Sequence, residues 1–162
     1  MEPTRSITAP IDSRRYFMLP QAPEDAGYYV YGKFRGIPTN GASQYAHPSM
    51  LTAILRVENE WRRIDGRRFG IGDISLADGI DHPQHATHES GLEVDVHPLR
   101  KDGKQEPVTW RDHMYDFEAT EKLIGLFFIY ANARVINFND FRIAFVKRAV
   151  NHDNHFHVQM WA

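Results

Sequence analysis

Nine histidines stand in the 162 residues, and seven of them fall in two short windows. His82, His85, His88 and His97 make the first, and His152, His155 and His157 make the second. The chain has no cysteine, which excludes disulfides, thiolate zinc sites and a cysteine nucleophile. Imidazole nitrogen and carboxylate oxygen are then the donors at hand, and together they suit zinc. A catalytic zinc keeps three protein ligands and one water, whose pKa falls to about 7. A further histidine beside that water can accept its proton. HxH or HxxH alone occurs by chance; the pattern gains weight from a carboxylate in phase with it on a strand.

That phase is present. Residues two apart in a strand share a face. Along His155 to Trp161 (HFHVQMW), His155, His157, Gln159 and Trp161 share one face, and Phe156, Val158 and Met160 share the other. The apolar face belongs to the core, so His155 and His157 look into a groove, roughly 6–7 Å apart along the strand. Along Leu92 to His97 (LEVDVH), Leu92, Val94 and Val96 take the core face, and Glu93, Asp95 and His97 take the opposite one. If the two strands are neighbours, Asp95 and the histidine pair face one groove, and His88 closes over it. Spacing alone leaves open which of these candidates bind the ion. Taken singly, His47, His82 and His113 read as hydrogen-bonding or surface residues. So does His97, although it shares the Asp95 face.

The elements that must carry these residues follow from periodicity and turn residues. Residues 1–27 form an irregular arm. Tyr28 to Phe34 reads as a strand, followed by a Gly/Pro/Asn-rich loop at 36–44. A helix runs from His47 to Arg63, with Pro48 in its first turn and Met50, Ile54, Val57 and Trp61 as its buried stripe. Asp65-Gly66 stops it. Arg68 to Ser75 reads as a strand and Ala77 to Thr87 as a loop. After the Leu92–His97 strand comes a turn at Lys101 to Lys104. A second helix spans Asp116 to Tyr130, with Asp116 as N-cap, Leu123, Phe127 and Tyr130 on its apolar face, and Asn132 as terminator. Arg134 to Phe138 is a strand, and Phe141 to Val150 reads equally as strand or helix. The helices are too few for a doubly wound sheet. The expectation is one α+β domain over 1–162: a small, mainly antiparallel sheet with the metal site on one face and helices on the other.

Composition permits this. The chain is 42% hydrophobic and 25% charged, as in ordinary globular domains. Its net charge of -2 lacks the basic footprint of a nucleic-acid partner. No stretch approaches the ~20 apolar residues of a membrane span, and the first twenty residues show no apolar core of an export signal.

The stretch HATHESGLEVDVHPLRKDG, followed by NHDNHFHVQMW, resembles the penicillin-insensitive murein endopeptidase family. That family belongs to the superfamily of lysostaphin-type peptidases, D-alanyl-D-alanine metallopeptidases and hedgehog domains. The matching pattern is a His, a Gly three later and an Asp seven later, then a C-terminal His-x-His: here His88, Gly91, Asp95 and His155/His157. Two more histidines, each three positions before one of these, mark the branch; here they are His85 and His152. QYAHPSMLTAI and GIGDIS also look like segments of that branch, so the resemblance covers residues 40–162.

The resemblance implies a single zinc held by His88, Asp95 and His157, with His155 as the catalytic histidine. His85 and His152 would then stand behind the ligands or contact substrate, and Asp73 reads as a supporting carboxylate. Gly91 would bring backbone close to the metal loop, or is an ordinary turn glycine. The implied activity is hydrolysis of peptidoglycan cross-links: D-alanyl–meso-diaminopimelate, or diaminopimelate–diaminopimelate. The nearest alternatives are a D,D-carboxypeptidase and a non-catalytic zinc module that binds cell wall; a histidine-rich nuclease fits the charge poorly. The expected partner is peptidoglycan, reached in the periplasm or on the wall through a secretion system or phage lysis, or by a periplasmic enzyme whose leader is missing. An immunity or inhibitor protein would be a second partner for a secreted effector. Nucleic acid and membrane insertion are not expected.

Overall fold

The computed structural model describes residues 10–21, 24–34, 37–38, 41–82, 85 and 87–162. A five-stranded sheet runs through its centre, in the order β2-β6-β7-β9-β8. Its strands are β2 (Tyr28–Val30), β6 (Phe69–Ile71), β7 (Glu93–His97), β8 (Ala133–Asn137) and β9 (Phe156–Met160). Only β2 and β6 pair in parallel; the other neighbours are antiparallel. Two small ribbons flank the sheet. β1 (Phe17–Met18) pairs with β5 (Tyr45–Ala46), and β3 (Lys33–Phe34) pairs with β4 (Ile37–Pro38). The architecture is α+β, as the pattern of elements predicts.

The alternation predicted for the two site-bearing strands is present. Val94, Val96, Phe156 and Val158 are all fully buried on one face. Each contributes about 1.5–3 kcal/mol by leaving water. The helices cover that face. Helix α1 (Pro48–Trp61) buries Met50, Ala53, Ile54, Val57 and Trp61. Helix α2 (Phe117–Tyr130) buries Ala119, Thr120, Leu123, Ile124 and Phe127. Trp61 and Phe127 each meet Phe69 edge-on, and Phe127 meets Phe156 in the same way. The opposite sheet face is left to polar residues.

Both helices start as their sequences require. His47 caps α1 by accepting the Ser49 N–H at Nδ1, and Pro48 fills the first position, where no N–H is needed. Asp116 caps α2 by accepting the Ala119 N–H. Asn132, at φ 45°, adopts the left-handed conformation that ends α2. Tyr130 is only partly buried, with the Arg56 guanidinium over its ring.

The differences from expectation are local. Residues 36–44 were expected as loop, yet Ile37–Pro38 pairs with Lys33–Phe34. The arm is not wholly irregular, because Phe17–Met18 pairs with β5; its residues 1–9 lie outside the described residues. Phe141 to Val150 is neither strand nor helix. It is a chain of turns with an isolated bridge from Asn137 to Lys147. Phe145 there sits at φ 69° and is largely exposed, whereas Ile143 is buried in the core, so burial falls on single positions without a strand or helix period.

Gly91 links α1 to β7. It sits at φ +72°, its carbonyl accepts the His47 N–H at 3.0 Å, and an added Cβ would lie 2.6 Å from that nitrogen. Both the conformation and the close approach exclude a side chain. Gly91→Ala is expected to destabilise the fold by about 1–3 kcal/mol, read as a lower urea midpoint at unchanged slope. An unchanged midpoint would show that neither constraint matters.

Candidate metal centre

The centre is built on two strands whose register is fixed by the core. In the β7–β9 ladder Asp95 lies directly opposite His157, and Asn137 of β8 lies opposite His157 on the other side. Asp95 and His157 are both buried. His157 Nδ1 is 3.0 Å from Asp95 Oδ1. His88 Nε2 is 3.5 Å from the same oxygen, and His155 Nε2 is 3.8 Å from it. His85 Nε2 is 3.8 Å from Asp95 Oδ2. One carboxylate thus collects four histidines, and the two sequence windows meet in space.

The far side of each ring decides what the near side can do. His88 Nδ1 faces the Ile74 carbonyl at 3.0 Å, and His157 Nε2 faces Glu93 Oε1 at 3.2 Å. With an ion bound beside Asp95, the N–H of each ring would go to these outer oxygens, and Nε2 of His88 and Nδ1 of His157 would turn their lone pairs to the ion. Such outer acceptors fix the tautomer of metal-binding histidines. The spacing also suits an ion. Ligand atoms about 2.0–2.1 Å from a tetrahedral ion lie about 3.3 Å from one another, close to the 3.0 and 3.5 Å found here.

Buried groups of histidine and aspartate that could hold a metal ion are therefore present. Among the described residues two sets have donor atoms all within 4.8 Å of one another: His85, His88 and Asp95; and Asp73, His82 and His85. The expected ligand His157 is in neither, although its Nδ1 lies 3.0 Å from Asp95.

Electrostatics follow burial and partners. Burial raises the Asp95 carboxyl, but the hydrogen bonds from His157 and His88 outweigh it and hold it well below the usual carboxylate range. Burial lowers the His157 imidazolium, yet Asp95 and Glu93 push it up to about 9. The hydrogen bond to Asp73 raises His85. His155 goes the other way, lowered by burial, so it stands neutral at pH 7. Its Nδ1 faces Asn154 Oδ1 at 2.9 Å, which leaves the Nε2 lone pair open.

His152 Nδ1 faces the Val150 carbonyl at 2.7 Å, and its ring centroid lies 4.8 Å from that of His155. The loop that carries both is pinned by Asp153. Its carboxylate accepts from Trp110 Nε1 and Asn139 Nδ2, and its carbonyl accepts the Trp110 N–H. A cavity of about 470 Å³ opens over His85, His88, Asp95, His152, His155 and His157. A second, of about 290 Å³, lies beside it over Tyr31, Asp73, His97 and Asn154. The two share His85, Asp95 and His155, so one cleft runs past the centre on both sides. A larger cleft of about 700 Å³ lies at the start of α2, lined by Trp110, Arg111 and Arg142, with His113 as its histidine.

The remaining histidines have other work. His97 stacks on Tyr31 with centroids 3.4 Å apart, and its Nδ1 meets the Tyr29 hydroxyl at 2.9 Å. His47 caps α1, and His113 is exposed beside Asp112. Sequence reasoning gave no role to Glu93, although alternation puts it on the Asp95 face. It also set His82 aside, while the structure buries His82 beside Asp73.

Compared with protein-family models and with curated proteins, the chain matches none.

Two results are expected. Glu93→Ala frees the His157 tautomer and weakens zinc binding at the Asp95 site by about 10–100-fold in chelator competition; equal affinity would reject the orienting role. At pH 7 His157 holds a proton that an ion bound through it would have to displace. Calorimetry in buffers of different ionisation enthalpy should show that proton released, with affinity rising toward pH 9. The same proton stabilises the metal-free fold: its contribution is full below about pH 6.5 and is lost as pH rises through about 9.

Proposed function

We propose that the protein is a zinc-dependent endopeptidase that hydrolyses the peptide cross-links of bacterial peptidoglycan. The observation that carries the reading is the pairing of two kinds of histidine on one carboxylate. His88 and His157 each set one nitrogen against Asp95 and the other against a fixed acceptor, so that with an ion bound beside Asp95 both would offer it a lone pair. His155 approaches the same carboxylate, is kept neutral by burial, and has a free Nε2. The first pair suits ligands; His155 suits a base. The sequence resemblance supplies the substrate class.

His88, Asp95 and His157 would hold the ion. Bound there, zinc supplies a Lewis acid for the scissile carbonyl and makes hydroxide available near neutrality. His155 Nε2 accepts the proton of the attacking water and returns it to the departing amine. Asn154 keeps that ring oriented through Nδ1. His152 lines the same cavity with Nδ1 committed to the Val150 carbonyl, so only an imidazolium there would donate from Nε2 to the oxyanion. Stem peptides on both sides of the cut bond need room, and the cleft continues past Asp95 in both directions. That favours an endopeptidase over a carboxypeptidase, which needs only one side open.

The substrate lies outside the cytoplasm, so the reading requires delivery to the wall. A secretion apparatus or phage lysis would provide it, and a secreted effector would be met by an immunity protein. Among the described residues no helix is long and apolar enough to cross a membrane.

Purified peptidoglycan digested with the protein should lose cross-linked dimers and gain monomers by mass spectrometry, a change blocked by chelator and restored by zinc. His155→Ala should keep its metal and lose turnover by about 10²–10⁴-fold, whereas His88→Ala should lose both. An unchanged muropeptide profile with zinc bound would reject the reading. Shortened but still cross-linked stems would replace it with a D,D-carboxypeptidase.

A further inference from the structure

Asp73 departs from the regular ladder. The Asp95 carbonyl accepts the Gly72 N–H at 2.8 Å, while the Asp95 N–H donates to the carbonyl of the next residue, Asp73, at 3.1 Å. Two residues thus oppose one, the pattern of a β-bulge, which re-aims side chains. The bulge sets the Asp73 carboxylate beside that of Asp95. Beside it Gly72 makes room for the Tyr31 ring, which an added Cβ would meet at 2.6 Å.

Around Asp73 the arrangement of the first centre is repeated. Ser43 Oγ donates to Oδ1 at 2.7 Å, which fixes the carboxylate and leaves Oδ2 pointing at two imidazoles. His85 Nε2 is 2.8 Å from Oδ2, and His82 Nε2 is 3.6 Å from it. The ring centroids of His82 and His85 are 4.6 Å apart. Asp73 and His82 are buried and His85 is half-buried. These separations bracket the roughly 3.3 Å between ligand atoms of a tetrahedral ion with about 2.0–2.1 Å bonds.

His85 is the residue both sets could claim. Its Nε2 is 2.8 Å from Asp73 but 3.8 Å from Asp95. Distance assigns it to Asp73, although the set around Asp95 whose donor atoms all lie within 4.8 Å is His85, His88 and Asp95. His157, 3.0 Å from Asp95, would take the place of His85 there.

We propose that Asp73, His82 and His85 form a second site for a divalent ion of the zinc type, next to the site at His88, Asp95 and His157. Two neutral imidazoles and one carboxylate suit a borderline ion such as zinc over calcium or magnesium, which take oxygen ligands. A cation there also compensates a carboxylate that burial removes from water. It would line the arm of the cleft that holds Tyr31 and His97, placed to draw in a carbonyl or carboxylate of the bound chain.

The test is a count of ions, independent of hydrolysis. Full-length protein stripped with chelator is titrated with zinc, desalted and weighed by native mass spectrometry. The expected result is two ions on the unaltered chain and one on His82→Ala, with His82→Asn carrying the test if the alanine variant fails to fold. The ¹¹³Cd spectrum of the unaltered protein should show two resonances, one of which is absent in the His82 variant. A single ion and a single resonance at saturation, or two ions retained by the folded His82 variant, would overturn the inference. Two ions on a protein that leaves peptidoglycan intact would uphold this site and reject the hydrolase; one ion on an active protein would do the reverse.

Discussion

A slip of one residue between β7 and β9 would turn Asp95 into the core and Val94 into the groove. The register that prevents this sets Asp95 opposite His157 and Val94 opposite Val158. Burial enforces it: Val94, Val96, Phe156 and Val158 are withdrawn from water under the two helices, and a slip would expose all of them while burying charge. The chemistry on the groove face is thus held in place by the hydrophobic effect on the other. No loop has to fold correctly for Asp95 and His157 to meet.

The groove face is costly on its own account. Asp73, Glu93 and Asp95 are buried carboxylates within a few residues of one another in space. Interiors tolerate such groups only when each finds protons, donors or cations. The histidines supply part of that compensation, which is why His157 and His85 are raised and Asp95 is lowered. His155 has no carboxylate closer than 3.8 Å, and burial makes it the neutral member of the group. Residues of one type acquire different roles because their distances to carboxylates differ by about an ångström.

Rigid strands supply one part of the centre and loops the other. Asp95 and His157 come from paired strands, whereas His85, His88, His152 and His155 come from the segments leading into them. The second of these segments is tied by Asp153 to Trp110 and Asn139. The first is tied through the His88–Ile74 and His85–Asp73 bonds. Beyond the pinned part, Val150 lines the cleft and is largely exposed.

Alternation alone was enough to place His157, Asp95 and Glu93 on one sheet face, because strand side chains alternate whatever surrounds them; His155 lies one residue before β9. The helices were legible for a similar reason: an apolar stripe, a capping Asp116 and a first-turn Pro48 are local signals. Three things were not legible. The Asp73 position depends on a bulge, set by which carbonyl an N–H on the next strand selects. His82 looked like a lone loop histidine, since nothing near it in sequence announces the carboxylate it meets nine residues back. The segment Phe141–Val150 buries Ile143 but leaves Phe141, Phe145 and Val150 exposed, so its apolar residues carry no period. Local pattern therefore determined the two helices and the faces of β7 and β9. Only tertiary structure decided which loop histidine met which carboxylate, because that choice rests on distances between segments whose separation no local preference encodes.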